Sequence, residues 1–61
     1  MKLIEVDDIV EVIREDSSYF HNIGKVISIK EVYPYLPIKV ILSDDNIIHF
    51  DRSALRVLEK E

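Results

Sequence analysis

Residues 38–50 read IKVIL, SDDN, IIHF. Two runs rich in β-branched residues flank a short polar stretch, and this pattern constrains the fold more than any other part of the chain. Ile38, Val40 and Leu42 fall on one side of an extended chain, because side chains alternate across a strand. Asp and Asn bond their own backbone and tolerate the left-handed region, so Ser43–Asn46 predicts a tight turn. Asn46–Phe50 is then the returning strand of a hairpin. A hairpin alone is marginal in water, so the remaining residues have to supply more sheet.

They do so in short pieces. Asp8–Arg14 (DIVEVIR) puts Val10 and Val12 on one face, with Ile9 and Ile13 on the other. A polar loop, Glu15–Asn22, follows. Gly24 opens GKVISIKEV, a second strand, and a glycine there suits a positive φ or a bulge. Tyr33-Pro34-Tyr35-Leu36-Pro37 excludes helix and central strand, and reads as an extended connector. After Phe50, DRSAL predicts one helical turn with Asp51 as a cap candidate. Leu55–Glu59 is a last strand. No window keeps a helical period over three turns.

Five short strands leave exposed edges unless the sheet curls on itself. The chain has 61 residues and no cysteine, so no disulfide supports it. The expectation is a single all-β domain over residues 1–61: a five-stranded SH3-like barrel with a short 3₁₀ turn before the last strand.

The net charge is −4 and unevenly spread. Residues 1–16 and 43–61 are acidic. Residues 17–42 carry Lys25, Lys30 and Lys39 against Glu31 alone. The overall sign disfavours a nucleic-acid backbone as partner, since that affinity comes from cations releasing counterions. The three lysines read either as a basic docking face or as edge lysines that block strand association. The start, MKLIEVDD, lacks the apolar run of a signal peptide, and no segment is long enough to span a bilayer. A cytoplasmic or stromal protein is expected, peripheral to a membrane only through a partner.

Chemistry has few candidates. His21 and His49 are the only imidazoles, and without cysteine they fall short of the convergent ligands a metal needs. The serines show no base-and-orienter arrangement. No cofactor, metal or catalytic role is expected. The aromatics are more informative. Tyr19, Phe20 and His21 form either a docking patch or a loop in which Phe20 plugs the barrel and Tyr19 lies over it. The connector around Tyr33 and Tyr35 is either a ridge for a partner or a stiff shield of the rim.

The residues Val10, Val12, Arg14, Ser18, Tyr19, Phe20, Gly24, Val26, Pro37, Ile38 and Val40 resemble the motif string of photosystem I subunit IV, the stromal PsaE family. The resemblance covers residues 8–42. The stretch HFDRSALRVL, residues 49–58, is also similar to the S subunit of the photosynthetic NADH dehydrogenase-like complex. Both families are SH3-like barrels that help ferredoxin dock to a larger electron-transfer complex, and neither is a catalyst. The resemblance implies an accessory subunit acting by protein–protein contact, in which Tyr19, His21, Asn22 and Lys39 face the partner, with Tyr33 and Tyr35 beside them. Two alternatives stand next to it. VDDIVEVI and GKVISI are similar to KOW- or Tudor-like modules of transcription and translation complexes. A phage or bacterial accessory protein would instead use Ile9, Ile13, Ile27, Ile41 and Ile47 as an interface.

Overall fold

The computed structural model describes residues 3–31 and 36–60. Among these residues, five strands form one antiparallel sheet: β1 Ile9–Val12, β2 Ile23–Ile29, β3 Ile38–Leu42, β4 Ile47–Phe50 and β5 Leu55–Glu59. Their order across the sheet is β4-β3-β2-β1-β5. The expected all-β architecture and the single 3₁₀ turn before the last strand, Arg52–Ala54, are present. β1 is shorter than expected at both ends. The expected end of the second strand, Val32, lies outside the described residues, as do Tyr33, Pro34 and Tyr35.

The 38–50 hairpin closes as its sequence requires. Asp45 N–H donates to Leu42 O at 2.9 Å, and Leu42 N–H donates to Asn46 O at 2.8 Å. Asp45 takes the left-handed conformation with φ 70°. This is a type I turn followed by one left-handed residue, a common way to return an antiparallel strand. The Asp44 carboxylate accepts from Asn46 N–H at 3.2 Å and Asn46 Nδ2 at 2.9 Å.

Gly24 corrects an expectation. Its φ is not positive, and the irregularity in β2 falls between Val26 and Ser28 instead. Gly24 is buried between Val10 of β1 and Leu42 of β3. A Cβ there would stand 2.6 Å from Ile41 O and 2.6 Å from Val40 Cγ1. The position needs glycine because two strands approach too closely for a side chain. Asp51 also departs from expectation. It precedes the 3₁₀ turn, but its carboxylate makes no cap bond to the backbone; it accepts from Ser53 Oγ at 2.9 Å.

Val10, Val12, Val26, Ile38, Val40, Leu42, Phe50, Ala54 and Leu55 bury themselves in one cluster. Phe50 comes from one edge strand and Leu55 from the other, so the sheet has to curve for both to reach the same interior. The alternation in β3 is complete: Ile38, Val40 and Leu42 are buried, while Lys39 and Ile41 lie on the outer face.

Among the described residues, one charged side chain is also interior. Asp8, just before β1, is 2% exposed. Its Oδ2 accepts from Glu5 N–H at 2.8 Å and from Lys60 Nζ at 2.9 Å. Lys60 also donates to Glu5 Oε1 at 3.0 Å and to Leu3 O at 2.5 Å. The end of the described chain is thus tied to its beginning. These carboxylates raise the Lys60 pKa above its ordinary value, the bond to Asp8 more than the bond to Glu5.

Candidate docking groove

The first loop is built by successive turns. Ser17 N–H donates to Arg14 O at 3.0 Å, Phe20 N–H to Ser17 O at 3.2 Å and Asn22 N–H to Tyr19 O at 2.8 Å. Ser17 Oγ accepts from Tyr19 N–H at 3.0 Å, a serine side chain standing in for a backbone turn. At the loop base, His21 N–H donates to Val12 O and Val12 N–H to Asn22 O, both at 2.9 Å. His21 is left-handed, φ 72°, and that single residue directs the chain into β2.

The loop's aromatics are placed the other way round from the plug expected of Phe20. Tyr19 packs against the core, and its ring meets Phe50 edge-on, centroids 6.3 Å apart and planes at 87°. That geometry sets the positive edge of one ring against the negative face of the other. Phe20, half-buried like Tyr19, is not part of that packing and covers the neighbouring His21 ring at 3.8 Å. The physical reason lies in the turns: they direct residue 19 inward and leave residue 20 on the outside of the bend.

Tyr19 and Phe50 border an open groove of about 270 Å³, with Leu36, Ile48, His49 and Asp51 along it. Leu36 is 49% exposed. The Arg14–Asp16 ion pair, at 2.9 Å, stands at the rim. A second, larger cleft of about 470 Å³ opens between Leu3, Ile13, Leu55 and Val57, edged by Arg52 and Arg56. Both arginines are already held by the chain's own Glu31 and Glu11. The smaller groove is the better docking candidate because it offers rigid aromatic surface beside mixed charge.

The expected contact residues do not all converge. Tyr19 borders the groove. Asn22 is half-buried at the loop base. His21 is carried to the outer face of β1, where its Nδ1 lies 3.1 Å from Glu11 Oε2. Arg56 donates to the other oxygen of Glu11. These two partners, Arg56 foremost, lower the Glu11 pKa. Lys39 faces outward on β3, opposite His49 of β4 and Ser28 of β2. Tyr33 and Tyr35 lie outside the described residues. Of the lysines read as a basic face, Lys25 is engaged by Asp7 at 3.7 Å.

Sequence reasoning missed Ile48, His49, Phe50 and Asp51 as groove residues. Phe50 was placed on the returning strand with no face assigned to it, and its pairing with Tyr19 joins residues far apart in the chain. Among the described residues, no three His, Asp or Glu side chains are grouped to hold a metal ion, and no helix is long and apolar enough to cross a membrane. No protein-family model matches the chain, and no curated protein is significantly similar to it.

Proposed function

We propose that this chain is a small SH3-like barrel that works as a non-catalytic docking subunit, holding a segment of a larger protein in the groove between the first loop and the β4–3₁₀ corner. The observation that carries this reading is the edge-to-face pair of Tyr19 and Phe50 beside the exposed Leu36. Rigid aromatic and aliphatic surface of this kind anchors protein contacts. The barrel reading is supported by the single core shared by all five strands and by the 3₁₀ turn before the last of them.

The resemblance over residues 8–42 supports the same class of role. It suggests a photosynthetic electron-transfer complex, with ferredoxin as the soluble carrier. Contact with a nucleic-acid backbone is the weaker reading, because Asp16 and Asp51 stand at the groove and Lys25 is engaged by Asp7.

The test is recovery of the partner from the source cells on affinity-tagged protein, compared with Leu36→Ser. Leu36 is half exposed, so its replacement changes stability by no more than about 0.5 kcal/mol. Loss of one defined complex with Leu36→Ser, at unchanged Tm, supports the groove. Equal recovery with both proteins overturns it. A photosynthetic complex among the lost proteins supports the ferredoxin-docking role, and a ribosome or polymerase replaces it with the KOW-like one.

A further inference from the structure

We infer that the groove takes its partner as an added β-strand along the free edge of β4, the partner being an extended segment with alternate apolar residues and a basic end. This rests on the docking reading above and adds to it the backbone geometry and chemistry of the ligand.

The first observation is the direction of the backbone groups in β4. Leu42 N–H donates to Asn46 O, and hydrogen-bonded pairs alternate along an antiparallel ladder. With the observed register, Val40–Ile48 and Ile38–Phe50 are the following bonded pairs. Ile47 and His49 therefore turn their N–H and C=O groups away from β3. The other side of β3 agrees: Ser43 N–H donates to Ile23 O, so the odd-numbered residues of that strand turn toward β2. β4 is the outermost strand on its side. Among the described residues, no backbone group bonds to Ile47 or His49 from outside the sheet.

The second observation is where the groove runs. Ile48, His49 and Phe50 all border it. Phe50 is buried and His49 exposed, because consecutive side chains point to opposite faces. A groove lying on one face of the sheet would meet every second residue. Meeting three in succession, and Asp51 and Ala54 after them, places the groove around the end of β4, next to the edge that carries the unpaired backbone groups.

The third observation concerns what normally blocks such an edge. Lysine, proline and bulges deter a strand from adding there. β4 is Ile-Ile-His-Phe and keeps an unbroken register with β3, whereas the ladders of β1 with β5 and of β2 with β3 are both interrupted. An extended segment on this edge would gain main-chain bonds to Ile47 and His49. Its alternate side chains would enter the space between Tyr19, Leu36 and Phe50, the usual division between affinity and specificity in strand addition. Arg14 and Asp16 offset each other at the rim, which leaves Asp51 as the net charge and favours lysine or arginine on the ligand.

The test uses the peptide acetyl-Lys-Val-Thr-Val-Thr-Val-Lys-amide as probe. A control peptide has the same side chains, with N-methyl groups on the alternate amides that would face β4. Binding is followed by amide NMR and hydrogen exchange on the intact protein. The expected result is slowed exchange at Ile47 and His49 with the first peptide, and affinity lower by at least about tenfold with the second. His49→Pro should give a similar loss while keeping the fold, since proline is tolerated on an edge strand where its nitrogen faces outward. Equal binding of both peptides overturns strand addition and leaves groove docking standing. Binding of a proline-rich peptide in place of the first overturns it in favour of a polyproline ligand. Absence of binding by either probe peptide overturns the inference, while the docking reading is judged separately by Leu36→Ser. Exchange at Ile47 and His49 that slows with protein concentration alone assigns the edge to a second copy of the chain, and also overturns it.

Discussion

Asp8 and Glu11 stand three residues apart around the start of β1, and each binds a cation from the last part of the chain. Asp8 holds Lys60, and Glu11 holds Arg56. Burial separates them. The Asp8 side chain is 3% exposed and also anchors the backbone of Glu5. Glu11 lies on the outer face with its side chain 15% exposed, and its partners Arg56 and His21 are 62% and 70% exposed. A carboxylate withdrawn from water is strongly destabilising once its partners are removed. An ion pair whose cation stands in water is worth little and is easily exchanged. The same chemistry therefore serves two ends. Asp8 is architecture, whereas Glu11 is a mooring for the first loop that can let go without unfolding the sheet.

The comparison breaks altogether if the sheet that carries both carboxylates is lost, so the largest effect is expected from Gly24→Val, whose side chain would force β2 from β3. Ile41 O is backbone and cannot retreat from a new Cβ. The cost should exceed about 3 kcal/mol, a large share of what a domain this small possesses. Circular dichroism should find the variant largely unfolded. Asp8→Ala tests one node alone. It leaves the Glu5 N–H without its acceptor and Lys60 with only Glu5 Oε1 and Leu3 O, and should cost about 2–3 kcal/mol, or roughly 15–25 °C in Tm. Tyr19→Ala asks what holds the loop if Glu11 does not. Losing its contact with Phe50 and the core should cost about 2–3 kcal/mol, against less than about 1 kcal/mol for the outward Phe20→Ala. Equal losses at the two positions would mean the loop is not fastened by Tyr19.

Titration separates the nodes by pH. Lys60 has a raised pKa in the folded state, so its stabilisation is complete below the ordinary lysine value and lost as pH rises through the raised one. Glu11 has a lowered pKa, so its stabilisation is present above the ordinary glutamate value and lost as pH falls through the lowered one. Melts of Lys60→Met should lack part of the alkaline decline, and those of Glu11→Gln part of the acid decline. Near neutral pH, Glu11→Gln should have the smallest effect of the series, visible mainly as faster amide exchange around His21. A fall in Tm as large as that of Asp8→Ala would erase the distinction drawn from burial.

The strands and the 38–50 turn were legible because each depends on neighbours in sequence. Alternation in Ile38–Leu42 states which side is buried, and Asp45 adopts the left-handed residue its turn needs. Gly24 was legible as special but for the wrong reason. A close approach between strands depends on register, which the local pattern does not contain. Tyr19 and Phe20 were indistinguishable for a similar reason. Adjacent aromatics in a loop have no periodicity to orient them, and the Ser17 turn that does so is one of several bonds the residues allow. The groove was half visible, through Tyr19 and Leu36, while its other wall came from a strand end to which the local pattern assigns no face.

The strand order carries a consequence for how the molecule assembles in time. β2, β3 and β4 are consecutive in the chain and pair in that order, so their contacts close short loops. β1 meets β5 only when distant parts of the chain come together: Glu11 and Arg56 are 45 positions apart, Asp8 and Lys60 52. Long loops lose more entropy before any contact compensates them. The three-stranded meander is the expected nucleus, and the tie between Lys60 and Asp8 forms after the rate-limiting step. Removing that tie should then leave the refolding arm of a denaturant chevron nearly unchanged and raise the unfolding arm, so that Lys60 governs how long the native state lasts and not how quickly it is reached.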